Sequence, residues 1–400
     1  MVTRLNHNFD EPNDRFSTPA AKFKSEYLFE LFGTDDLYPF WIADQDFKSP
    51  PAIVNALQKK ATEGIFGYEC KADDFKSIQV AWFKKRYKCD LKPDWILATP
   101  TIMSSLAMAI DLFTTTTASI IIQPPVYKEF KNTIQKTNRT SLNNPLKLVD
   151  LRYTMDFDQL KKITKQPNVE AIIISNPHNP GGRVWEKEEL QELVTICYEN
   201  KILIISDEIH ADIVFQGKTF ISLLAFPEIH NQLVVLYSPS KLFNIAAITD
   251  AMCIIPNLEM NNIFKQLLEK YNLGRPNAFS QVASTVGFTE CEDWINDFNT
   301  YIESNVNYVS IFLEKHIPQL QLIQQDGTYL IWIDVSYLAL QGADLVHYLA
   351  KEAKIGVNNG SVFGIEGAGF IRMSIACPIA IVETAMNNLK IAVFKLQKES

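Results

Sequence analysis

The sequence predicts an α/β protein, with a large domain built on a mostly parallel central sheet sandwiched by helices and a smaller α+β domain attached to it. Three observations carry this reading. The middle of the chain alternates short β-branched runs with longer amphipathic stretches, as parallel strands joined by crossover helices require. Its 400 residues exceed the size at which one hydrophobic core usually keeps growing, so two domains are expected. Beyond about residue 290 the pattern changes to a long helix, a hairpin, another helix and a strand, which reads as a separate lobe.

Taken in order, the expected sheet strands are Trp95 to Ala98, Ser119 to Gln123, Glu170 to Ser175, Ile202 to Ser206, Leu233 to Tyr237 and Met252 to Ile255. Between the third and fourth, Glu186 to Glu199 has the apolar spacing of a helix and an acidic start that suits the positive end of its dipole. After Asp297 to Glu314, expected as a helix, the run LQLIQQDGTYLIWIDVS suggests a hairpin turning at Asp326-Gly327, and Phe370 to Ala376 a final strand. The large domain is expected over residues 45–290. Residues 1–44, which have no place in the central sheet, are expected to join 291–400 in the smaller one.

Composition narrows the function classes. Apolar residues at 47% and charged residues at 21% are ordinary for a globular protein, so no segment is assigned to disorder. A net charge of −8 argues against a nucleic-acid partner, since phosphate backbones are bound mainly by clustered Lys and Arg. Six cysteines with no C-x-x-C pair give neither a disulfide ladder nor a metal knuckle, so no metal is expected and a reducing compartment is. The opening MVTRLNHNFDEPNDRF has no apolar core, and the longest apolar runs are strand-length. The reading is cytoplasmic, with no membrane span.

Open α/β sheets bind ligands beyond the carboxyl ends of their strands. Three successive strands run into polar clusters there: S-N-P-H-N-P-G-G-R (Ser175 to Arg183), S-D-E-I-H-A-D (Ser206 to Asp212) and S-P-S-K (Ser238 to Lys241). An amide, a carboxylate and an amine are thereby set side by side. A lysine in such a crevice is partly desolvated, which lowers its pKa and frees the amine to attack an aldehyde. A buried aspartate beside it needs a partner, and a protonated pyridine nitrogen is one that keeps it ionised. Taken singly, Lys241 and Asp207 fit a plain ion pair at a strand end equally well. Residues 98–105 (ATPTIMSS) follow the first strand and open an apolar helix, so their free N–H groups suit a phosphate, although capping alone also explains the Thr and Ser. Neither G-x-x-x-x-G-K-[ST] nor G-x-G-x-x-G occurs.

In order along the chain stand W-I-A-D-Q-D-F (Trp41 to Phe47), G-I-F-G-Y (Gly64 to Tyr68), P-P-V-Y (Pro124 to Tyr127), S-N-P-H-N-P-G-G-R-V-W, S-D-E-I-H-A-D, P-S-K-x-F-N-I-A (Pro239 to Ala246) and F-I-R-M-S-I-A-C-P (Phe370 to Pro378). This series resembles the fold-type I pyridoxal 5′-phosphate (PLP) enzymes of the class I/II aminotransferase superfamily, and within it the MalY/PatB-type cysteine-S-conjugate β-lyases. The resemblance implies that Lys241 forms a Schiff base with PLP, that Asp207 pairs with the pyridine nitrogen, and that Asn179 and His210 lie near the phenolic oxygen with Tyr127 stacked on the ring. It implies a phosphate site from the backbone of Thr101, Ile102 and Met103 with Ser238 and Ser240, completed by Tyr68 from the other subunit of a homodimer. Arg372 is expected to take the substrate α-carboxylate, helped by the backbone of Ala43 and by Asn179, because a guanidinium fork matches two oxygens. This chain departs from the pattern at Gln45, where Met is usual, at Thr101, where Gly is common, and at Thr249, where many relatives carry a phosphate-binding arginine. Its phosphate grip is therefore expected to rest on amides and hydroxyls.

The activity the resemblance implies is elimination of a thiol from an L-cysteine S-conjugate such as cystathionine, giving pyruvate and ammonia. The alternative is an L-amino-acid aminotransferase, which shares every step up to proton removal. A second role as a regulatory protein partner, as in the MalY branch, is a further alternative that no sequence feature marks.

Overall fold

The structure is a computed structural model that describes residues 5–70, 74–248, 250–275 and 277–399. Its largest sheet has seven strands: β1 (Ile96–Thr99), β2 (Ser119–Ile122), β3 (Thr140–Asn143), β4 (Val169–Ser175), β5 (Leu203–Asp207), β6 (Leu233–Tyr237) and β7 (Ala251–Ile254). They lie in the order β1-β7-β6-β5-β4-β2-β3. The pairs from β6 through β3 are parallel, whereas β7 runs antiparallel to both β1 and β6. Strands β5 and β6 are buried along their whole length, which is why they read as unbroken apolar runs rather than as alternation. The six expected strands are present within one residue at each end. The seventh, β3 (TSLN), carries no apolar strand pattern because an edge strand paired on one side keeps polar, half-exposed residues.

Crossover helices cover the sheet. Helix α1 (Ile102–Phe113) starts on a capping box in which Thr101 and Ser104 exchange side-chain and backbone hydrogen bonds. Helix α2 (Lys187–Glu199) is capped by Glu186 and Glu189, the acidic start seen in the sequence. A short α3 (Ser240–Phe243) follows β6 and carries Lys241. Helix α4 (Ala278–Glu290) leads into α5 (Glu292–His316), longer at both ends than its periodicity suggested.

A second, antiparallel sheet has the order β8-β9-β11-β10, from β8 (Gln321–Leu322), β9 (Leu330–Asp334), β10 (Asn358–Asn359) and β11 (Phe370–Ser374), and is followed by α6 (Ile379–Glu399). Strands β8 and β9 pair as a hairpin should, yet Asp326-Gly327 is not a solvent-exposed turn. Asp326 is buried and receives Arg152 at 2.9 Å, Arg183 at 3.3 Å and Lys218 at 2.8 Å, while Gly327 bridges to Val214. A Cβ on Gly327 would lie 2.3 Å from the Ile213 carbonyl oxygen, so the glycine serves close approach to the loop after β5 rather than a two-residue reversal.

The N-terminal stretch packs back on these elements. Tyr38–Pro39 pairs with Ile355–Gly356, and the Phe9 ring lies 5.6 Å from Trp294 and 5.3 Å from Tyr301 of α5, as well as 5.1 Å from Phe47. Among the described residues no helix is long and apolar enough to cross a membrane, and no three His, Cys, Asp or Glu side chains are grouped to hold a metal ion.

Candidate active site

The parallel strands β4, β5 and β6 end at one edge of the sheet, so the residues just past them converge. A cavity of about 240 Å³ opens there. Its walls include Thr101, Ile102 and Met103 from the start of α1, then Tyr127, Asn179, Asp207, His210, Ser238, Ser240 and Lys241, with Ala43 from the N-terminal stretch. Eleven of the residues singled out from sequence thus share one cavity. Arg372, on β11, reaches it by donating to Asn179 Oδ1 at 3.1 Å. Tyr68 does not belong to this wall. It is 97% exposed, with the Arg275 guanidinium 5.4 Å from its ring. Thr249 lies outside the described residues.

Burial sets the charges. The Asp207 carboxyl, 6% exposed, is pushed up to about 7 by desolvation, although the Ile209 N–H and the Lys241 charge pull the other way. Burial likewise lowers the Lys241 ammonium and takes the His210 imidazole down to about 3, so His210 is neutral at pH 7. Lys241 Nζ donates to the Ala43 carbonyl at 2.6 Å, and it is absent from the ion pairs among the described residues. The simple Lys241–Asp207 ion pair is therefore not what the fold builds. The Tyr127 hydroxyl is pushed up to about 12 by desolvation and stays protonated.

Arg372 is held from three directions. Besides Asn179, it donates to the Trp41 carbonyl and to Asn358 Oδ1, each at 2.8 Å, and its guanidinium lies 4.8 Å from the centre of the Phe363 ring. Burial brings it down to about 10, still fully charged at neutral pH. The Ala43 carbonyl takes Lys241, and the Trp41 carbonyl, two residues earlier, takes the guanidinium. Asn358 sits opposite Arg372 across β10 and β11 and shares the same terminal nitrogen with Trp41.

At the other end of the cavity the capping box spends the Thr101 and Ser104 N–H groups on side chains, at 3.2 and 3.1 Å. The Ile102 and Met103 N–H groups, in the first turn of α1, have no intrahelical acceptor and point out of its positive end. Ser238 and Ser240 are 2.9 Å apart at their hydroxyls. Asp250 joins this end unforeseen. Burial pushes its carboxyl up to about 6, and it accepts a hydrogen bond from Ser284. Because β7 is antiparallel, its first residues lie at the same edge as the last residues of its neighbours, and a carboxylate just before an apolar strand was the available signal.

The set fits a flat, anionic, aldehyde-bearing cofactor on chemical grounds. A poised amine, a buried carboxylate, a helix N-terminus and hydroxyls surround a space of suitable kind, and His210 Nδ1 is buried without a partner. The family model for class I and II aminotransferases matches residues 42–389. The chain belongs to this family. Within the class I and II aminotransferases it is 33% identical to cystathionine β-lyase PatB of Bacillus subtilis, over 96% of this chain and 99% of that protein. It is 27% identical to protein MalY of Escherichia coli, over 96% and 97% respectively. Among solved structures, the PLP-bound C–S lyase of Staphylococcus hominis superposes with a TM-score of 0.89 at 30% identity, covering 97% of this chain and 98% of that one. The fold is that of fold-type I, as the sequence resemblance implied.

Proposed function

We propose that this chain is a PLP-dependent carbon–sulfur β-lyase that releases a thiol, pyruvate and ammonia from L-cysteine S-conjugates. The observation that carries the reading is the convergence of a desolvated amine (Lys241), a buried carboxylate (Asp207) and a pre-aimed guanidinium (Arg372) on one cavity, in a chain similar to PatB along nearly its whole length. Bound there, PLP supplies an aldehyde that takes up an amine and a protonated ring that accepts electrons from a breaking bond on the substrate.

The residues do the rest. Arg372 pairs with the two oxygens of the substrate carboxylate, and the acceptors Asn179, Asn358 and Trp41 hold its plane. Lys241, whose ammonium form burial disfavours, removes the proton from the substrate α-carbon. Asp207 holds the proton on the ring nitrogen, its carboxylate ionised by that cation despite burial. Asn179 and His210 would border the phenolic oxygen of the bound cofactor, and Tyr127 would cover its ring face. When the bond from the β-carbon to sulfur breaks, the pair of electrons leaves with sulfur, and Lys241 Nζ is the protonated group placed to return a proton to it. The three-carbon product then hydrolyses to pyruvate and ammonia.

Three coarser readings accompany this one. Ile102, Met103, Ser238 and Ser240 would hold the phosphate, and Tyr68 would complete the grip from the second copy of a homodimer. Residues 45–290 form the large domain, and 1–44 with 291–400 the small one, a division supported by the packing of Phe9 and of Tyr38–Pro39 on later elements. All six cysteines are free, which supports a reducing, cytoplasmic setting. The test is an assay with L-cystathionine that follows thiol and pyruvate together. Equal release of both is the expected outcome. Glutamate formation from 2-oxoglutarate without thiol release would identify an aminotransferase instead.

A further inference from the structure

Residues 41–47 run between the two cations of the site, and side chains from elsewhere take up their carbonyls. Trp41 receives Arg372, Ala43 receives Lys241, Asp44 receives the Ser374 hydroxyl at 3.1 Å, and Asp46 receives the Asn13 amide at 3.1 Å. In the middle stands Gln45, where the family pattern has methionine. It is 1% exposed. Its Nε2 donates to the carbonyls of Lys241 at 2.5 Å and Leu242 at 3.0 Å. In the reverse direction, Asn244 Nδ2 donates to the carbonyls of Gln45 at 3.2 Å and Phe47 at 2.8 Å. Two primary amides, each spanning two carbonyls, cross-link the stretch that receives the lysine to the turn that carries it.

Helix geometry explains why such donors are needed. Helix α3 has four residues and ends at Asn244, which is left-handed at φ 55°, so its last carbonyls lack intrahelical partners. The N–H groups of Asn244 and Ile245 both go to the Ser240 carbonyl, and the Asn244 side chain is spent on residues 45 and 47. Gln45 supplies the donors for the next two carbonyls. Its orientation is fixed by chemistry, since a flipped amide would press its oxygen against both acceptors. A methionine of similar length supplies no donor.

We infer that Gln45 is a positioning residue for Lys241. It locks the lysine-bearing turn in the register that places Nζ on the Ala43 carbonyl at the cavity wall, so that the amine, once free, stands at a fixed point beside the substrate α-carbon. The inference rests on the reading of Lys241 as the cofactor-bearing amine. Proton removal is sensitive to displacements of the base well below the size of an atom, whereas Arg372 is held by other groups, so the clamp governs the chemical step more than substrate binding.

The test compares the parent with Gln45→Met and with the isosteric Gln45→Glu, which leaves one atom of the clamp without its donor hydrogens. Apoprotein is mixed with PLP and the growth of the visible band is timed; kcat, KM and the isotope effect with α-deuterated L-cystathionine are then measured. Both variants are expected to form the band about tenfold more slowly and to lose about tenfold in kcat with KM within about twofold, with a larger isotope effect. Parental band formation, kcat and isotope effect in a folded variant would overturn the inference, even if its melting temperature fell, because Gln45 would then only stabilise the fold. If Gln45→Met does not fold, Gln45→Glu decides on the same readouts. A parent that forms no band with PLP refutes the role of Lys241 itself, a separate outcome.

Discussion

Around Arg372 both terminal guanidinium nitrogens are already aimed by protein acceptors and only Nε is left buried without one, whereas at Thr101–Ser104 the polar groups of the helix start satisfy one another at an exposed edge. The first arrangement is buried. Its donors need no reorganisation when a carboxylate arrives, the condition under which fixed charges stabilise a bound group most. The second has the first-turn N–H groups of Ile102 and Met103, a pair of serine hydroxyls and a carboxyl, Asp250, whose charge burial disfavours. The contrast teaches that the two ends of the cavity are built by different means: the fold holds the guanidinium from three directions, whereas the helix start spends its polar groups on one another.

The largest expected effect lies between these ends. Lys241→Ala removes both the amine that links the cofactor and the base, so turnover should fall by more than about 10³-fold and the visible band should vanish. Absorbance and thiol release on the purified variant check both. Retained lyase activity would sink the assignment of the whole cavity.

Next in size is an effect on the apoprotein. The Asp207 carboxyl titrates near 3.8 in an unfolded chain and near 7 in the fold, because burial disfavours its charge. Between those values the folded form holds a proton that the unfolded form has released, so this group makes stability fall as pH rises through the window and level off above about 7. Asp207→Asn removes that contribution. Its apoprotein should be more stable than the parent at pH 8, by on the order of 4 kcal/mol at most, and should lose the advantage toward pH 4. Urea denaturation of both apoproteins at several pH values measures the difference directly. The same variant should be nearly inactive with PLP, which separates a charge kept for chemistry from one kept for stability.

Arg372→Lys tests the guanidinium end. An ammonium cannot reproduce a fork held by Asn179, Asn358 and the Trp41 carbonyl, and two charge-assisted hydrogen bonds to substrate are reduced to one. KM should rise by about 10–100-fold with a smaller change in kcat. A mainly kcat effect would instead place Arg372 in the chemical step and weaken the contrast between the two ends.

The same contrast marks what could be read from sequence. Parallel strands deliver their following residues to one edge, so Asn179, Asp207 and Lys241 were legible from strand ends alone, and the helix start at Thr101 from its position after β1. Asp250 was hidden because the reversal of β7 cannot be seen in a buried apolar run. Asn358 was hidden because it meets Arg372 only through the register of two strands in a different sheet from the one whose ends were read. Gln45 was visible as a departure, but its partners lie 196 and 197 residues away. Local pattern therefore gave the ring end of the site, and long-range pairing decided how each charge is held.

The smallest effect bears on the helix-start end. Tyr68 is 97% exposed and follows Ile65 at 78% and Phe66 at 61%, an apolar run that a monomer would leave in water and a second copy would cover. If Tyr68 donates its hydroxyl to a phosphate bound by the partner subunit, Tyr68→Phe removes one charge-assisted hydrogen bond and leaves the apolar contact intact. PLP should then bind about tenfold more weakly, while the mass in solution stays that of a dimer. Phe66→Asp should do the reverse in order of events, dissociating the dimer first and losing the cofactor as a consequence, with affinity that recovers at high protein concentration. Unchanged PLP affinity in Tyr68→Phe would mean that Ile102, Met103 and the two serines hold the phosphate alone. The cradle would then be complete within one chain, and its exposed edge would need another explanation.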